Sequence, residues 1–386
     1  MNSRERLLTA LDHREPDRVP LDLGSGQACK FTKTFYIKLL DYFGLEDEKK
    51  ELEICQKALQ LVYASDKVLD LLKCDVRNPR VHYQSDFVSP YLKSWEDERY
   101  SYYINEFGTT YRMPLEGGLY YDISMGALED AENEEDDQTF IWPVPNKLVP
   151  GSRAELQAYR DSGFPTTTCQ LYGNGFLQTG PLLFGYDKWL MMLVTEPERC
   201  KKIIQMFFER KTEWYRNLFE EYGGLLDVIA EPDDYGTQIS TFCSPATLRE
   251  LIFPYHKKLN EFLNKSQPGI KTTLHSCGSV YTLIPDIIEC GYDNLNPVQI
   301  AAANMEPERL KKEFGKDINF WGGGINTQAT LPHGTQDQVR EETKRNIEAF
   351  APGGGFVFST VHNVQGDVPI ENFIAMWETF QENCKY

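Results

Sequence analysis

The chain has 386 residues, of which 25% are charged and 13% are aromatic, a composition typical of a globular protein with a large core. Its 40 basic and 58 acidic side chains give a formal net charge of −18. A surface of this charge repels nucleic acid and anionic lipid headgroups, and no apolar segment is long enough to cross a bilayer. Because the N-terminus carries charges throughout and has no apolar signal region, we expect a cytoplasmic protein with reduced cysteines.

The first half of the sequence contains weaker structural signals than the second. Residues 19–23 are typical of a short strand, and residues 46–73 have the pattern of a long helical stretch that could be interrupted. Residues 80–150 combine many aromatic residues with an acidic run, and residues 100–112 alternate as in a hairpin. We therefore predict an insertion at 80–150, and we predict a further strand at residues 176–181.

Short apolar runs alternate with amphipathic segments in the second half. Strands are predicted at residues 225–230, 270–274, 294–298, 319–322 and 356–361. Helices are predicted at residues 244–264 with a break at Pro254, and at 280–289, 306–314, 335–350 and 370–381. This α/β alternation predicts a parallel sheet, in which a polar or glycine-containing loop follows each strand. It favours a single (β/α)8 TIM barrel spanning residues 1–386, with an elaborated N-terminal region, over an open doubly wound sheet, because no convincing phosphate-binding glycine loop is present.

Residues that follow two of the predicted strands are candidates for a metal site. His275 and Cys277 are two positions apart after one strand, a spacing that puts side chains on the same face. His362 follows the last strand, and the ends of separate strands converge at the mouth of a barrel. Two imidazoles and a thiolate could hold zinc with one open position. Alternatively, Cys277 could be a small buried hydrophobe and His362 a polar loop residue.

Acidic and aromatic residues near the same strand ends are candidates for catalysis and substrate binding. Glu231, Asp233 and Asp234 repel one another unless a cation or a hydrogen-bond donor offsets their charge. They could supply a metal ligand, a proton donor or a substrate hydrogen-bond acceptor, or they could cap a helix. The following aromatic residues could wall a substrate pocket or belong to the core: Tyr172, Phe176, Tyr235, Phe242 and Trp321.

Several of these segments together resemble the uroporphyrinogen decarboxylase superfamily. The segments are residues 4–20, 227–238, 244–245, 254–255, 275–278 and 321–325. The resemblance implies a single (β/α)8 barrel with its site at the C-terminal mouth. True decarboxylases of the superfamily carry an arginine-containing stretch after the first strand, but residues 24–29 contain no arginine. A strongly acidic chain without those arginines is poorly suited to a polycarboxylate substrate, so we do not expect decarboxylation.

The chain resembles instead the corrinoid-dependent zinc methyltransferases of that superfamily. They carry a His-x-Cys pair and a further cysteine after the last strand; His275 and Cys277 match the pair, and His362 stands near the cysteine position. A zinc site richer in histidine is a stronger Lewis acid, which suits an ether leaving group. The resemblance therefore implies O-demethylation of a methoxylated aromatic compound, with Zn²⁺ as cofactor.

A second protein is also expected from this resemblance. The chain lacks the Asp-x-His-x-x-Gly signature of cobalamin-carrier domains, so the Co(I) corrinoid must come from a partner that docks over the barrel mouth. Methyl transfer to a thiol such as coenzyme M, a methylamine or halide substrate, decarboxylation, and a non-catalytic binding barrel are the alternatives. A homodimer stays open.

Overall fold

The computed structural model describes residues 1–26, 28–80, 83–84, 89–149, 151–168 and 172–386. The first half contains α1 (Ser3–Leu11), α2 (Lys33–Phe43), a 3-10 helix (Glu46–Glu51), β1 (Ile54–Gln56), β2 (Leu61–Val62), α3 (Asp66–Leu71), β3 (Tyr83–Gln84), β4 (Lys93–Glu96), β5 (Tyr100–Ile104), β6 (Thr110–Pro114), β7 (Asp122–Met125), α4 (Glu134–Asp137), β8 (Lys147–Leu148), α5 (Arg153–Asp161), β9 (Thr167–Thr168), α6 (Thr179–Phe184) and α7 (Tyr186–Thr195).

The second half alternates more regularly. It contains α8 (Pro197–Tyr222), β10 (Val228–Pro232), α9 (Pro245–Leu251), α10 (Phe253–Ser266), β11 (Lys271–His275), a 3-10 helix (Tyr281–Leu283), α11 (Ile284–Glu289), β12 (Asn294–Asn296), α12 (Pro307–Phe314), β13 (Asn319–Trp321), α13 (Thr330–His333), α14 (Gln336–Phe350), β14 (Phe356–Val357) and α15 (Ile370–Asn383). No helix among the described residues is long and apolar enough to span a membrane.

The centre of the fold is a six-stranded parallel sheet in the order β14-β13-β12-β11-β10-β9. Its register places Pro232 of β10 beside His275 of β11, and His275 beside Asn296 of β12. Strands β11 to β14 are almost entirely buried, as expected for parallel strands that are covered on both faces. The register therefore brings the carboxyl ends of neighbouring strands, and the loops that follow them, to one edge of the sheet.

Both outer edges of this sheet carry one more parallel bridge. Leu21 pairs with Phe358 beside β14, and Arg77 pairs with Thr166 beside β9. The Asp75 N–H donates to the Leu21 carbonyl oxygen at 2.8 Å, so these two extended segments also contact each other. The prediction of an α/β fold with a parallel sheet is confirmed as a curled half-barrel; closure into eight strands stays a prediction.

Helix α14 illustrates how the local sequence produces the outer layer. The Thr335 side chain accepts the N–H of Gln338, and the Gln338 side chain accepts the Thr335 N–H, which forms a capping box at the first turn. Val339, Ile347 and Phe350 are buried on this helix, at spacings that put them on one face. The helix therefore begins where the sequence predicts and packs its apolar face against the core.

The predicted hairpin belongs to a separate antiparallel sheet in the order β4-β5-β6-β7. Tyr102 of β5 lies opposite Arg112 of β6, which confirms the alternation noted at residues 100–112. This sheet lies inside the segment predicted to be an insertion.

Two predicted elements are wrong. Residues 46–73 do not form one helix, because Leu61 pairs with Gln56 and also bridges Thr32, and this tertiary pairing outweighs local helix propensity. Residues 176–181 are not a strand, because the Asp233 carboxylate accepts the N–H groups of Leu177 and Gln178 at the start of α6. The strand of the parallel sheet in this region is β9 (Thr167–Thr168).

Candidate metal centre

His275, Cys277 and His362 meet at the carboxyl edge of the parallel sheet. Their nitrogen and sulfur ligand atoms all lie within 4.8 Å of one another. The Cys277 Sγ is 3.6 Å from the His275 Nε2, and the two imidazole rings are 5.8 Å apart between centroids. The structure therefore brings together the three residues that were predicted as metal ligands, His275 and Cys277 from the end of β11 and His362 from a segment far along the chain.

Asn296 fixes the orientation of the His275 ring. The Asn296 Nδ2 donates to the Trp321 carbonyl oxygen at 3.0 Å, which assigns its Oδ1 as an acceptor. The His275 Nδ1 lies 2.7 Å from that Oδ1 and therefore donates to it. This bond leaves the lone pair of Nε2 directed towards the Cys277 Sγ, as in many metal-binding histidines. Sequence reasoning missed Asn296, although it is the register partner of His275.

The protonation states in this cluster suit a cation. Burial and the neighbouring His275 lower the pKa of His362 to about 4, so at neutral pH it is an uncharged imidazole with a free lone pair. Burial and the nearby Asp234 carboxylate raise the pKa of the Cys277 thiol well above its usual value. A thiol in such surroundings becomes a thiolate when a metal ion compensates the charge.

The spacing of the His275 and Cys277 donor atoms also suits a zinc ion. Two ligands of a tetrahedral zinc are about 3.3–3.8 Å apart, given bonds of about 2.0–2.3 Å. The 3.6 Å separation between Cys277 and His275 falls in that range. Catalytic zinc sites commonly have three protein ligands, and His275, Cys277 and His362 would supply that number. The donor set therefore fits the expected metal.

Asp234 is the acidic residue nearest to these donors. One carboxylate oxygen accepts the Cys277 N–H at 2.7 Å and lies 3.9 Å from the His275 Nε2. The other accepts the side-chain amide of Gln178 at 2.8 Å. The side chain keeps 27% of its surface exposed, so it remains accessible to a small molecule at the mouth.

Asp233 points into the protein and is fully buried. Besides the N–H groups of Leu177 and Gln178, its carboxylate accepts the Tyr235 hydroxyl at 3.0 Å and the His256 Nε2 at 2.9 Å. With these hydrogen bonds, both oxygens of the Asp233 carboxylate are already occupied by donors from the protein. Asp233 therefore holds the start of α6 and helix α10 against the end of β10.

The Glu231 side chain lies away from the candidate metal ligands and faces α8. Its carboxylate is 2.5 Å from the Lys211 Nζ of α8, and both side chains are almost completely buried, at 1% and 0% exposure. The Tyr215 hydroxyl donates to the same carboxylate. The structure does not bring Glu231 into the metal cluster.

The predicted aromatic residues divide between the core and the surface. Tyr235 and Phe176 are fully buried, and the Phe176 ring packs 4.8 Å from the His256 ring. Trp321 is 5% exposed and donates from its Nε1 to the buried Asp22 at 3.0 Å. Phe242 is partly exposed and contacts Tyr186. Tyr172, whose hydroxyl donates to the Pro143 carbonyl oxygen, lines a cavity of about 500 Å³.

Comparison with known proteins identifies the family. Residues 180–383, more than half of the chain, match the family model for uroporphyrinogen decarboxylase (URO-D). The chain therefore belongs to this family, as its sequence motifs suggested.

Its relatives include two proteins named methylcobamide:CoM methyltransferase MtaA from Methanosarcina barkeri, one of them from strain Fusaro. Both are 25% identical, over 176 and 170 residues, which cover 42% of this chain and 48% and 43% of theirs. The chain thus spans about half the length of these relatives. They confirm the resemblance to the corrinoid methyltransferase branch of the superfamily.

A solved structure of a methyltransferase from Methanosarcina mazei has the same fold. It matches with a TM-score of 0.62 over 99% of each chain, at 16% sequence identity. The overlap extends over both the parallel sheet and the N-terminal region that the family model does not cover.

Proposed function

We propose that this protein is a zinc-dependent methyltransferase that moves a methyl group from a methoxylated aromatic compound to the Co(I) corrinoid of a partner protein. The observation that carries the proposal is the convergence of His275, Cys277 and His362, with the His275 ring oriented by Asn296. Similarity to methylcobamide:CoM methyltransferases supports the chemistry of methyl transfer between a corrinoid and a small molecule.

The metal would act as a Lewis acid that lowers the cost of the departing phenolate oxygen. His275, Cys277 and His362 would hold it. Asn296 keeps the His275 ring in place, and Asp234 keeps the Cys277 backbone in place through its N–H. These residues fix the geometry before the substrate arrives, so little reorganisation is needed during the reaction.

Asp234 is the acidic residue to which we assign a role in the reaction. It lies beside the donors and is partly exposed, so it can hydrogen-bond the phenolic product or hold its proton. Asp233 has its carboxylate occupied by protein donors, and Glu231 has its charge offset by Lys211. In this proposal Asp233 positions the loop that carries Asp234, and Glu231 stabilises the contact between β10 and α8.

Methyl transfer from a methylcobamide to a thiol is the second candidate function. The observation in its favour is that both curated relatives are methylcobamide:CoM methyltransferases. The two candidates differ in the acceptor of the methyl group, and they share the metal site.

The proposal also includes the closed (β/α)8 barrel of a single domain. The extended segments at Leu21 and at Asp75–Arg77 would be its first two strands, since each contacts one edge of the sheet and they contact each other. A cytoplasmic location, a separate corrinoid protein that docks over the mouth and a homodimer stay predictions.

The experiment that tests the proposal combines metal analysis with two assays. We expect about one zinc per chain in the purified protein, and we expect methoxyarenes to methylate free Co(I) cobalamin, followed by its absorbance change. His275→Ala should abolish both zinc binding and the methylation of cobalamin. His333→Ala, on the exposed surface of α13, should change neither the zinc content nor the methylation rate. If only thiols react, with methylcobalamin as the donor, the second candidate is correct. If the protein binds no metal and His275→Ala does not change its activity, both candidate functions are contradicted.

A further inference from the structure

The end of β12 and the loop that follows it carry two buried amide side chains, Asn296 and Gln299. Only 6% and 7% of their surfaces are exposed. Asn296 accepts the His275 Nδ1–H, as described above. Gln299, three residues further along the chain, accepts the Gly278 N–H at 2.7 Å through its Oε1. One short segment therefore contacts both the His275 ring and the residue that follows Cys277.

The hydrogen bonds of Gln299 assign the orientation of its amide group. A backbone N–H can only donate, so the atom that lies 2.7 Å from the Gly278 nitrogen is the carbonyl oxygen. The Gln299 Nε2 then donates to the Oε1 atoms of Gln238 and Gln328, each at 3.1 Å. These two glutamines are exposed, and they lie on the loops after β10 and β13. The Gln299 side chain is therefore held in one orientation by groups on three other loops.

Two hydrogen bonds hold the peptide groups on either side of Cys277. The Cys277 N–H donates to the Asp234 carboxylate at 2.7 Å, and the next N–H along the chain, that of Gly278, donates to Gln299. Because a peptide group is planar, restricting the two groups that flank a residue restricts both of its backbone dihedral angles. Those angles set the direction of the Cα–Cβ bond. Asp234 and Gln299 together therefore direct the Cys277 side chain.

The peptide between Cys277 and Gly278 needs such a restraint. Gly278 has a φ of +86°, a conformation that glycine adopts readily, and glycine has more backbone freedom than any other residue. A side chain cannot supply the rigidity here, because a Cβ at this position would overlap the backbone of Gly236. The hydrogen bond to Gln299 supplies it from the neighbouring loop.

We propose that Gln299 is a positioning residue that keeps the Cys277 sulfur directed towards the metal, as Asn296 keeps the His275 ring. It acts on Cys277 through the Gly278 N–H. This inference rests on the metal site of the proposed function and deepens it, because it assigns one amide of the β12 segment to each of the two ligands that follow β11. Loss of Gln299 weakens the bond between sulfur and metal without removing a ligand.

Titration of the metal-free, full-length protein with cobalt(II) tests this inference. A cobalt–thiolate bond has a charge-transfer absorption band, which reports on the sulfur ligand itself. Gln299→Met keeps the length of the side chain without its acceptor oxygen. We expect this variant to show a weaker band per bound cobalt, and we expect its zinc affinity to fall by about tenfold.

Gln299→Glu is the variant that should rescue the band. It keeps an acceptor oxygen for the Gly278 N–H, and the exposed amides of Gln238 and Gln328 can turn to donate to its carboxylate. We expect most of the charge-transfer intensity per bound cobalt to return. A band as weak as that of Gln299→Met would overturn the role of the acceptor oxygen.

Gln328→Met separates the effect on Cys277 from a general effect on the loops. It removes one partner of the Gln299 Nε2 at an exposed position and leaves the bond to Gly278 intact. We expect an unchanged band and unchanged zinc affinity. If Gln328→Met weakens the band as much as Gln299→Met does, Gln299 only ties the loops together and the inference is wrong.

Hydrogen exchange tests the hydrogen bond without any metal. The Gly278 N–H should exchange slowly in the unmodified protein and at least about tenfold faster in Gln299→Met, because its acceptor is lost. Exchange in Gln299→Glu should stay slow. Fast exchange of this N–H in the unmodified protein would overturn the inference even if Gln299→Met does not fold.

The outcome is separable from that of the proposed function. An unchanged band and unchanged zinc affinity in Gln299→Met would overturn the inference and leave the proposed function standing. An absence of methyl transfer by the zinc-loaded protein would contradict the proposed function and leave the cobalt and exchange results intact. If the unmodified protein binds neither cobalt nor zinc, both are overturned.

Discussion

Two groups of polar side chains diverge from the end of β10, and they differ in how their hydrogen bonds are completed. On one side, Asp233, Tyr235 and His256 are fully buried and bond to one another, and the His256 Nδ1 lies 2.7 Å from the Tyr292 hydroxyl. On the other side, His275 and Cys277 direct donor atoms towards each other at 3.6 Å, beside the partly exposed Asp234.

This difference separates polar residues that stabilise the fold from those that can bind a ligand. A buried network whose members satisfy each other needs no further molecule, and its loss costs stability. A cluster whose lone pairs converge on one point and remain accessible gains most when a cation occupies that point. Substitutions in the two groups should therefore affect different measurements.

The largest expected effect is loss of the metal and of activity in His275→Ala. We expect no stoichiometric zinc, and a decrease in methyl transfer greater than the roughly 100-fold limit typical of residues that only support a ligand. The measurement is metal analysis with the Co(I) cobalamin assay. The free energy of unfolding of the metal-free protein should change little. A large loss of stability with retained zinc would show that His275 stabilises the fold and does not bind the metal.

Removal of the buried cation that faces Glu231 should instead affect stability. Lys211→Met leaves the Glu231 carboxylate buried without its counter-charge, which costs about 3–5 kcal/mol. Denaturant unfolding measures this loss, and the folded fraction should still bind metal. The double variant Lys211→Met/Glu231→Gln should recover part of the loss, because no unpaired charge remains. Loss of zinc from the folded single variant would instead link Glu231 to the metal site.

Asn296 is a buried residue whose hydrogen bond should affect zinc affinity. Asn296→Ala removes the acceptor for the His275 Nδ1–H, and we expect zinc affinity to fall by about 10–100-fold. Competition with a chelating dye measures this change. Asn296→Asp keeps an acceptor oxygen at the same place and should retain most of the affinity. Unchanged affinity in Asn296→Ala would show that the fold orients His275 without this bond.

The smallest expected effect concerns stability at alkaline pH. Burial and the nearby Asp233 raise the pKa of Tyr235 well above its usual value of 10.0. Above pH 10 the unfolded chain loses this proton while the folded chain keeps it, so stability present below pH 10 is lost as the pH rises. Denaturant unfolding at pH 8 to 11 should show a shallower decline in Tyr235→Phe, by up to about 1.4 kcal/mol per pH unit. The exposed Tyr120→Phe is the control and should keep the steeper decline.

The sequence predicted that His275, Cys277 and His362 would lie together, because its signals are local and the fold rule is general. His275 and Cys277 have strand spacing, His362 follows the last strand, and the ends of parallel strands meet at one edge. It did not separate the three acidic residues, because that depends on partners far along the chain: Lys211 for Glu231, and His256 for Asp233. Asn296 was missed for the same reason, since its role arises only when β12 pairs with β11.

The helices and strands also divide into those that the local sequence predicts and those that depend on contacts between distant segments. Helix α14 was predictable because its cap and its apolar face lie within one continuous segment. Residues 46–73 were not, because their strands form through pairing with one another and with Thr32. The cavity lined by Lys30 and Pro232 could not be predicted from the sequence either. Its walls come from separate loops and from the antiparallel sheet of β4 to β7.

The sequence by itself determined the alternating α/β pattern, the family motifs and the identity of the three metal-binding candidates, because periodicity and short spacings encode these features directly. Only the tertiary structure decided which carboxylate stays accessible, which asparagine orients His275 and which side chains form the cavity. These properties depend on burial and on contacts between distant segments, and the same side chain has a different charge state and a different role according to what is packed against it.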